Sequence, residues 1–103
     1  MDTHKRKRIE IVVERRLAFR VIDRVRAEPR VHGYTVLPCL GGAGRSGVHE
    51  ADPLTDLQRD VLVTVVCGEP VARDLLDGIV PLLDEIGGVA WLSDVEVIRV
   101  ERF

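Results

Sequence analysis

The chain has 103 residues, 46% apolar and 31% charged, with 15 Lys and Arg against 17 Asp and Glu for a formal charge of −2. That length suits one domain, 1–103, with its own core, and the composition excludes a disordered chain. The near-balance of charge argues against a nucleic-acid binder, and no apolar run approaches the roughly 18–20 residues of a membrane helix.

The basic run His4-Lys5-Arg6-Lys7-Arg8 is followed by no apolar stretch of the secretory type, so 1–6 reads as a basic tail and a cytoplasmic protein is expected. Residues 7–14 (KRIEIVVE) alternate, with Ile9, Ile11 and Val13 on one face, which predicts a half-buried strand. Over 15–28 the period changes. Leu17, Ala18, Val21, Ile22 and Val25 form one stripe, arginines the other, and Pro29 ends the helix. Those arginines read as a solvated face.

Residues 33–40 (GYTVLPCL) form a second strand that Pro38 confines to a sheet edge or a bulge. Residues 41–57 then hold four of the nine glycines within seven residues. Aperiodic segments this long in a small domain are functional or disordered. The run 59–67 (RDVLVTVVC) is apolar on both faces and predicts a central strand.

Gly68-Glu69-Pro70 opens a second helix, with Val71, Leu75, Leu76, Ile79, Leu82, Leu83 and Ile86 on its apolar face and Gly87-Gly88 at its end. Gly78 and Pro81 predict a bend. Residues 89–92 and 95–100 are strand-like, either one bent strand or two short ones. The order is an α+β ferredoxin-like βαββαβ sandwich, with helices on one face and a long loop between strands 2 and 3. Its second strand is an edge strand, in agreement with Pro38. Cys39 and Cys67 fall at opposite ends of neighbouring strands, match no zinc or redox spacing, and form no disulfide.

Chemistry has one natural seat, the loop at 41–53 (GGAGRSGVHEADP). Closely spaced glycines let backbone N–H groups converge on an anion, and Arg45 adds a charge suited to phosphate or carboxylate. A plain flexible hairpin loop is the alternative from spacing alone. The pattern lacks the Gly-Lys-Ser/Thr of a phosphate-binding P-loop. Ser46, His49 and Asp52 are close in sequence, but a loop does not hold triad geometry, and the three histidines have no metal-ligand spacing. Neither an enzyme nor a metal site is expected.

With these elements in place, the sequence resembles the PII signalling superfamily over nearly its whole length. The long loop occupies the position of that family's T-loop, here 41–58. Its root, Gly42-x-Gly44-Arg45 followed by Gly47 and His49, resembles the GxGRxxGH region. Gly88-Val89-Ala90-Trp91-Leu92-Ser93-Asp94-Val95-Glu96 is similar to GKIFVFDVE, after a glycine turn in the place of the B-loop. Three departures stand out: the loop has no tyrosine, the lysine of GKIF is Val89, and of the paired C-terminal arginines only Arg102 falls in register, with Arg99 one place off. The short chain resembles the PII-like branch, which includes SbtB-type and carboxysome-associated proteins.

The resemblance implies a homotrimer that binds adenine nucleotide (ADP, AMP or ATP) in clefts between subunits. One wall would be Gly41, Gly42, Gly44, Arg45 and Ser46, and the other Gly87, Gly88 and Val89 of a neighbour. Thr35 and Val36 would approach the base, and Arg102 would add a cation. It further implies signalling through the T-loop to a transporter or carbon-concentrating protein, and leaves bicarbonate open as a further ligand. A trimeric metal- or small-molecule-binding module of the CutA kind is the alternative.

Overall fold

The computed structural model describes residues 1–44, 47–50 and 59–103. Its organising element is β1 (His4–Glu14), whose Ile9, Ile11 and Val13 are buried while the residues between them stay at least partly in contact with water. The strand begins three residues before the alternation starts, so only the first three residues of the expected basic tail precede it. The reason is cross-strand charge. Lys5 stands opposite Glu96 and Lys7 opposite Asp94, and the Lys7 ammonium is hydrogen-bonded to the Asp94 carboxylate. That contact holds the Asp94 carboxyl below its usual range.

A 3-10 turn (Arg15–Leu17) leads into α1 (Ala18–Arg26), which buries Ala18, Val21 and Val25. The helix stops at Arg26, before Pro29. The residue preceding a proline is pushed out of helical backbone, so the last turn frays early. β2 (Thr35–Pro38) is a four-residue strand paired only to β5 (Asp60–Cys67), and the sheet order is β2-β5-β1-β6. Pro38 is therefore on the edge, as expected. β5 is central and pairs antiparallel with both β1 and β2.

The segment read as irregular contains two short strands, β3 (Gly41–Gly44) and β4 (Gly47–Glu50), paired as a separate antiparallel ladder. α2 (Glu69–Ile86) runs unbroken through Gly78 and Pro81 and buries Ala72, Leu75 and Ile79. It ends at Gly87, whose φ of 78° is left-handed backbone that glycine adopts without strain. Gly88 has a different reason to be glycine. A Cβ there would lie 2.7 Å from Val13 Cγ1 and 2.9 Å from the Val12 carbonyl oxygen.

β6 (Val89–Val97) is a single strand across Ser93 and Asp94, followed by a 3-10 turn (Val100–Arg102). The core lies between the helices and one sheet face, with Ile9, Ile11, Val63, Val65, Val21 and Ile79 almost wholly buried. The opposite sheet face has no layer over it within the chain. Both cysteines are free, and Cys39 donates its N–H to the Asp60 carbonyl at the far end of β5 from Cys67.

Candidate functional site

The uncovered sheet face is built from rows of directly paired residues. One row is apolar across all four strands: Leu37, Leu62, Val12 and Val89. Leu37 is 49% exposed and Val89 59%. The next row is Thr35, Thr64, Glu10 and Trp91. Here the Trp91 indole N–H donates to Glu10 Oε1 at 3.1 Å, and Arg8 Nε lies 3.2 Å from the same oxygen.

Above the Thr35–Thr64 pair lies a cleft of about 560 Å³. Three stretches of chain meet there. The first is the segment entering β2, with His32, Gly33 and Tyr34; the second is Thr64 and Val66 of β5; the third is the last turn of the chain, with Arg99, Glu101, Arg102 and Phe103.

Two local devices bring the stretches together. Arg30 donates to both carboxylate oxygens of Glu28 and, at 2.9 Å, to Asp74 of α2, which pins the chain two residues before His32. The same hydrogen bonds bring the Glu28 carboxyl down to about 2. At the other end, Arg99 sits in left-handed backbone (φ 56°, ψ 56°), the one non-glycine residue to do so among the described residues. That costs of order 1–2 kcal/mol for an L-residue. It reverses the chain after β6, and the turn is closed by hydrogen bonds from Arg102 N–H to the Arg99 carbonyl and from Phe103 N–H to the Val100 carbonyl.

Arg99 Nε is 3.8 Å from Glu101 Oε1, and both side chains are largely exposed, so the pair neutralises Arg99 only weakly. Arg102 forms no ion pair among the described residues. The cleft thus has two cations against one carboxylate, with two hydroxyls on its floor. It suits an anion that also has hydrogen-bonding and flat apolar parts.

A second cleft of similar size is lined by Lys5, Arg6, Lys7, Glu69, Asp94, Val95 and Glu96. Its three cations face three carboxylates, and Lys7 already pairs with Asp94 and Glu69. It offers no net charge to a ligand.

Of the residues expected at the site, Thr35 and Arg102 meet in the first cleft. Val36 faces the helix side, opposite Val63. Gly41, Gly42 and Gly44 follow β2 on the edge, in β3. Gly87, Gly88 and Val89 lie at the opposite edge, three strand spacings from β2, roughly 14 Å. Within one chain the two expected walls do not meet. Arg45 and Ser46 lie outside the described residues, as does Asp52. Among the described residues no His, Cys, Asp and Glu side chains cluster as metal ligands, and no helix is long and apolar enough to cross a membrane.

Sequence reasoning missed His32, Tyr34, Thr64, Val66, Glu101 and Phe103 as cleft residues. Thr64 carried a signal, as the one hydroxyl inside the apolar run 61–67. The others carried none, because it is the left-handed Arg99 that folds the last turn back over the sheet.

Comparison with known proteins agrees with this architecture. No curated protein matches the sequence. Among solved structures, CPII from Thiomonas intermedia bound to ADP and bicarbonate is similar at a TM-score of 0.87 and 24% identity, covering 99% of this chain and 97% of that one. The same protein bound to ADP, AMP and acetate gives 0.81 at 24% identity, with 100% and 98% covered. CutA1 from Oryza sativa gives 0.60 at 10% identity, with 93% and 83% covered, so the sandwich is common to both groups. The family description that matches the sequence itself is Nitrogen regulatory protein P-II, over residues 6–102. A match across nearly the whole chain, on a βαββαβ sandwich with the loop between its second edge strand and its central strand, makes this chain a member of the nitrogen regulatory protein P-II family.

Proposed function

We propose that the chain is a cytoplasmic, PII-like, trimeric regulator that binds adenine nucleotide between subunits and signals through the loop 41–58. The observation that carries this reading is the cleft in which Arg99 and Arg102 converge on the Thr35–Thr64 pair at the edge of an uncovered apolar sheet face. The trimer follows from that face. Leu37, Leu62, Val12 and Val89 form an apolar row with no cover, and packing three such faces together removes it from water.

Assembly also resolves the separation of the two walls, since Gly87, Gly88 and Val89 of one subunit can complete the cleft of the next. Gly41, Gly42, Gly44, Arg45 and Ser46 form the loop-root wall, and Arg45 grips the phosphates. CPII, solved with ADP and bicarbonate, supports adenine nucleotide as the ligand class and links the reading to inorganic carbon, with a transporter or carbon-concentrating protein as the target. The reading assigns no catalysis to the chain.

Isothermal titration with ADP, AMP and ATP, with and without bicarbonate, tests the proposal, and sedimentation velocity tests the trimer. Arg45→Ala and Arg102→Ala are each expected to weaken ADP by about ten- to a hundred-fold, the worth of a charge-assisted contact, with the trimer intact. Cleavage after Arg45 in limited proteolysis is expected to slow when ADP is bound. A monomer at micromolar concentration, or no heat with any of the three nucleotides at millimolar concentration, would sink the reading. Metal binding in place of nucleotide would favour the CutA-like alternative.

A further inference from the structure

The cations and hydroxyls of the cleft account for an anion, but not for its rings. The chain has one Trp, one Tyr and two Phe, and Tyr34 and Phe103 both line this cleft. Tyr34 is 39% exposed. Each ring is carried by backbone fixed for another reason: Tyr34 follows the Arg30 anchor, and Phe103 closes the turn by donating its N–H to the Val100 carbonyl at 3.0 Å. An inorganic anion held by Arg99 and Arg102 would leave both rings against water. A ligand with a flat π-face would cover them.

We infer that Tyr34 and Phe103 form the seat of the nucleobase, with the arginines of the last turn at its phosphate end. The inference rests on the nucleotide-binding reading and adds to it which side chains hold the base. It also divides strength from choice. Stacking on an aromatic ring is tolerant of base identity, because every base has a π-face. The Thr35 and Thr64 hydroxyls, paired across two strands, are the groups placed to read the base edge.

Tyr34 is the chain's one tyrosine, so selective tyrosine labelling gives one set of ring resonances. Adding ADP to the wild-type protein is expected to shift these upfield through the ring current of the base, while pyrophosphate leaves them nearly in place. In titrations, Tyr34→Leu and Phe103→Leu are each expected to weaken ADP by about five- to a hundred-fold, and GDP by the same factor. Tyr34→Phe keeps the ring and stays within about two-fold of wild type, and none of the variants changes pyrophosphate binding by more than that. Should wild type bind ADP while its tyrosine signals stay put and both leucine variants bind as tightly, the base seat is elsewhere and the nucleotide reading survives. Should wild type bind no nucleotide, the reading itself fails. The labelling experiment needs no substitution, so a variant that folds poorly does not decide the matter.

Discussion

The two faces of the sheet use the same residue types for different ends. On the helix side, Ile11, Val63 and Ala90 stand in one cross-strand row beneath α1 and α2, and Ile11 and Val63 are wholly buried. On the other side, Leu37, Leu62, Val12 and Val89 form a row just as apolar with nothing over it. Apolar patterning therefore does not by itself say which face is the core. The covering layer does, and on the second face that layer has to come from another chain.

The sharpest break in the comparison is a cavity on the covered side. Ile11→Ala is expected to cost about 2–5 kcal/mol in urea denaturation, because the site is enclosed and its neighbours collapse only in part. Gly88→Ala forces a Cβ against Val13 and the Val12 carbonyl oxygen, where β6 starts, and is expected to cost about 1–3 kcal/mol by the same measurement.

Leu62→Asp, on the uncovered face, is expected to change the fold's own stability by only about 1 kcal/mol while converting the trimer to a monomer in sedimentation. A Leu62→Asp protein that remains trimeric would mean the open face is not the assembly face.

The smallest effect concerns the anchor on the helix side. Glu28 has a folded-state carboxyl at about 2 against an ordinary 4.5. A lowered carboxylate contributes stability above the unfolded value, which is lost as pH falls through the folded one. The Glu28 carboxyl is therefore expected to titrate near 2 by NMR, and Arg30→Ala to return it toward 4.5.

Much of the fold was legible because it depends on local patterns. Alternation marked β1, Pro38 marked the edge, and a stripe at helical spacing marked α1 and α2. Two boundaries were not. β1 starts early because its basic residues meet Glu96 and Asp94 across the sheet, a pairing that exists only after the chain has folded. The site was legible in part: Thr35 and Arg102 came from the family resemblance, and the cleft holds both. The remainder depends on Arg99. Arginine is not a residue that advertises left-handed backbone, so nothing in the sequence says that Glu101 and Phe103 return to the mouth of β2.

The β3–β4 ladder has its own consequence. Three of the four residues of β3 are glycine, so its alignment with β4, Gly41 opposite Glu50 through Gly44 opposite Gly47, rests on backbone hydrogen bonds. Strand register is normally enforced by the penalty of turning apolar side chains to the wrong face, and a strand with one methyl group incurs almost none. Sliding one strand along the other by two residues would sacrifice the terminal bonds and little else. Such a hairpin can offer different alignments of the same backbone donors to different partners without any change in the sheet beneath it.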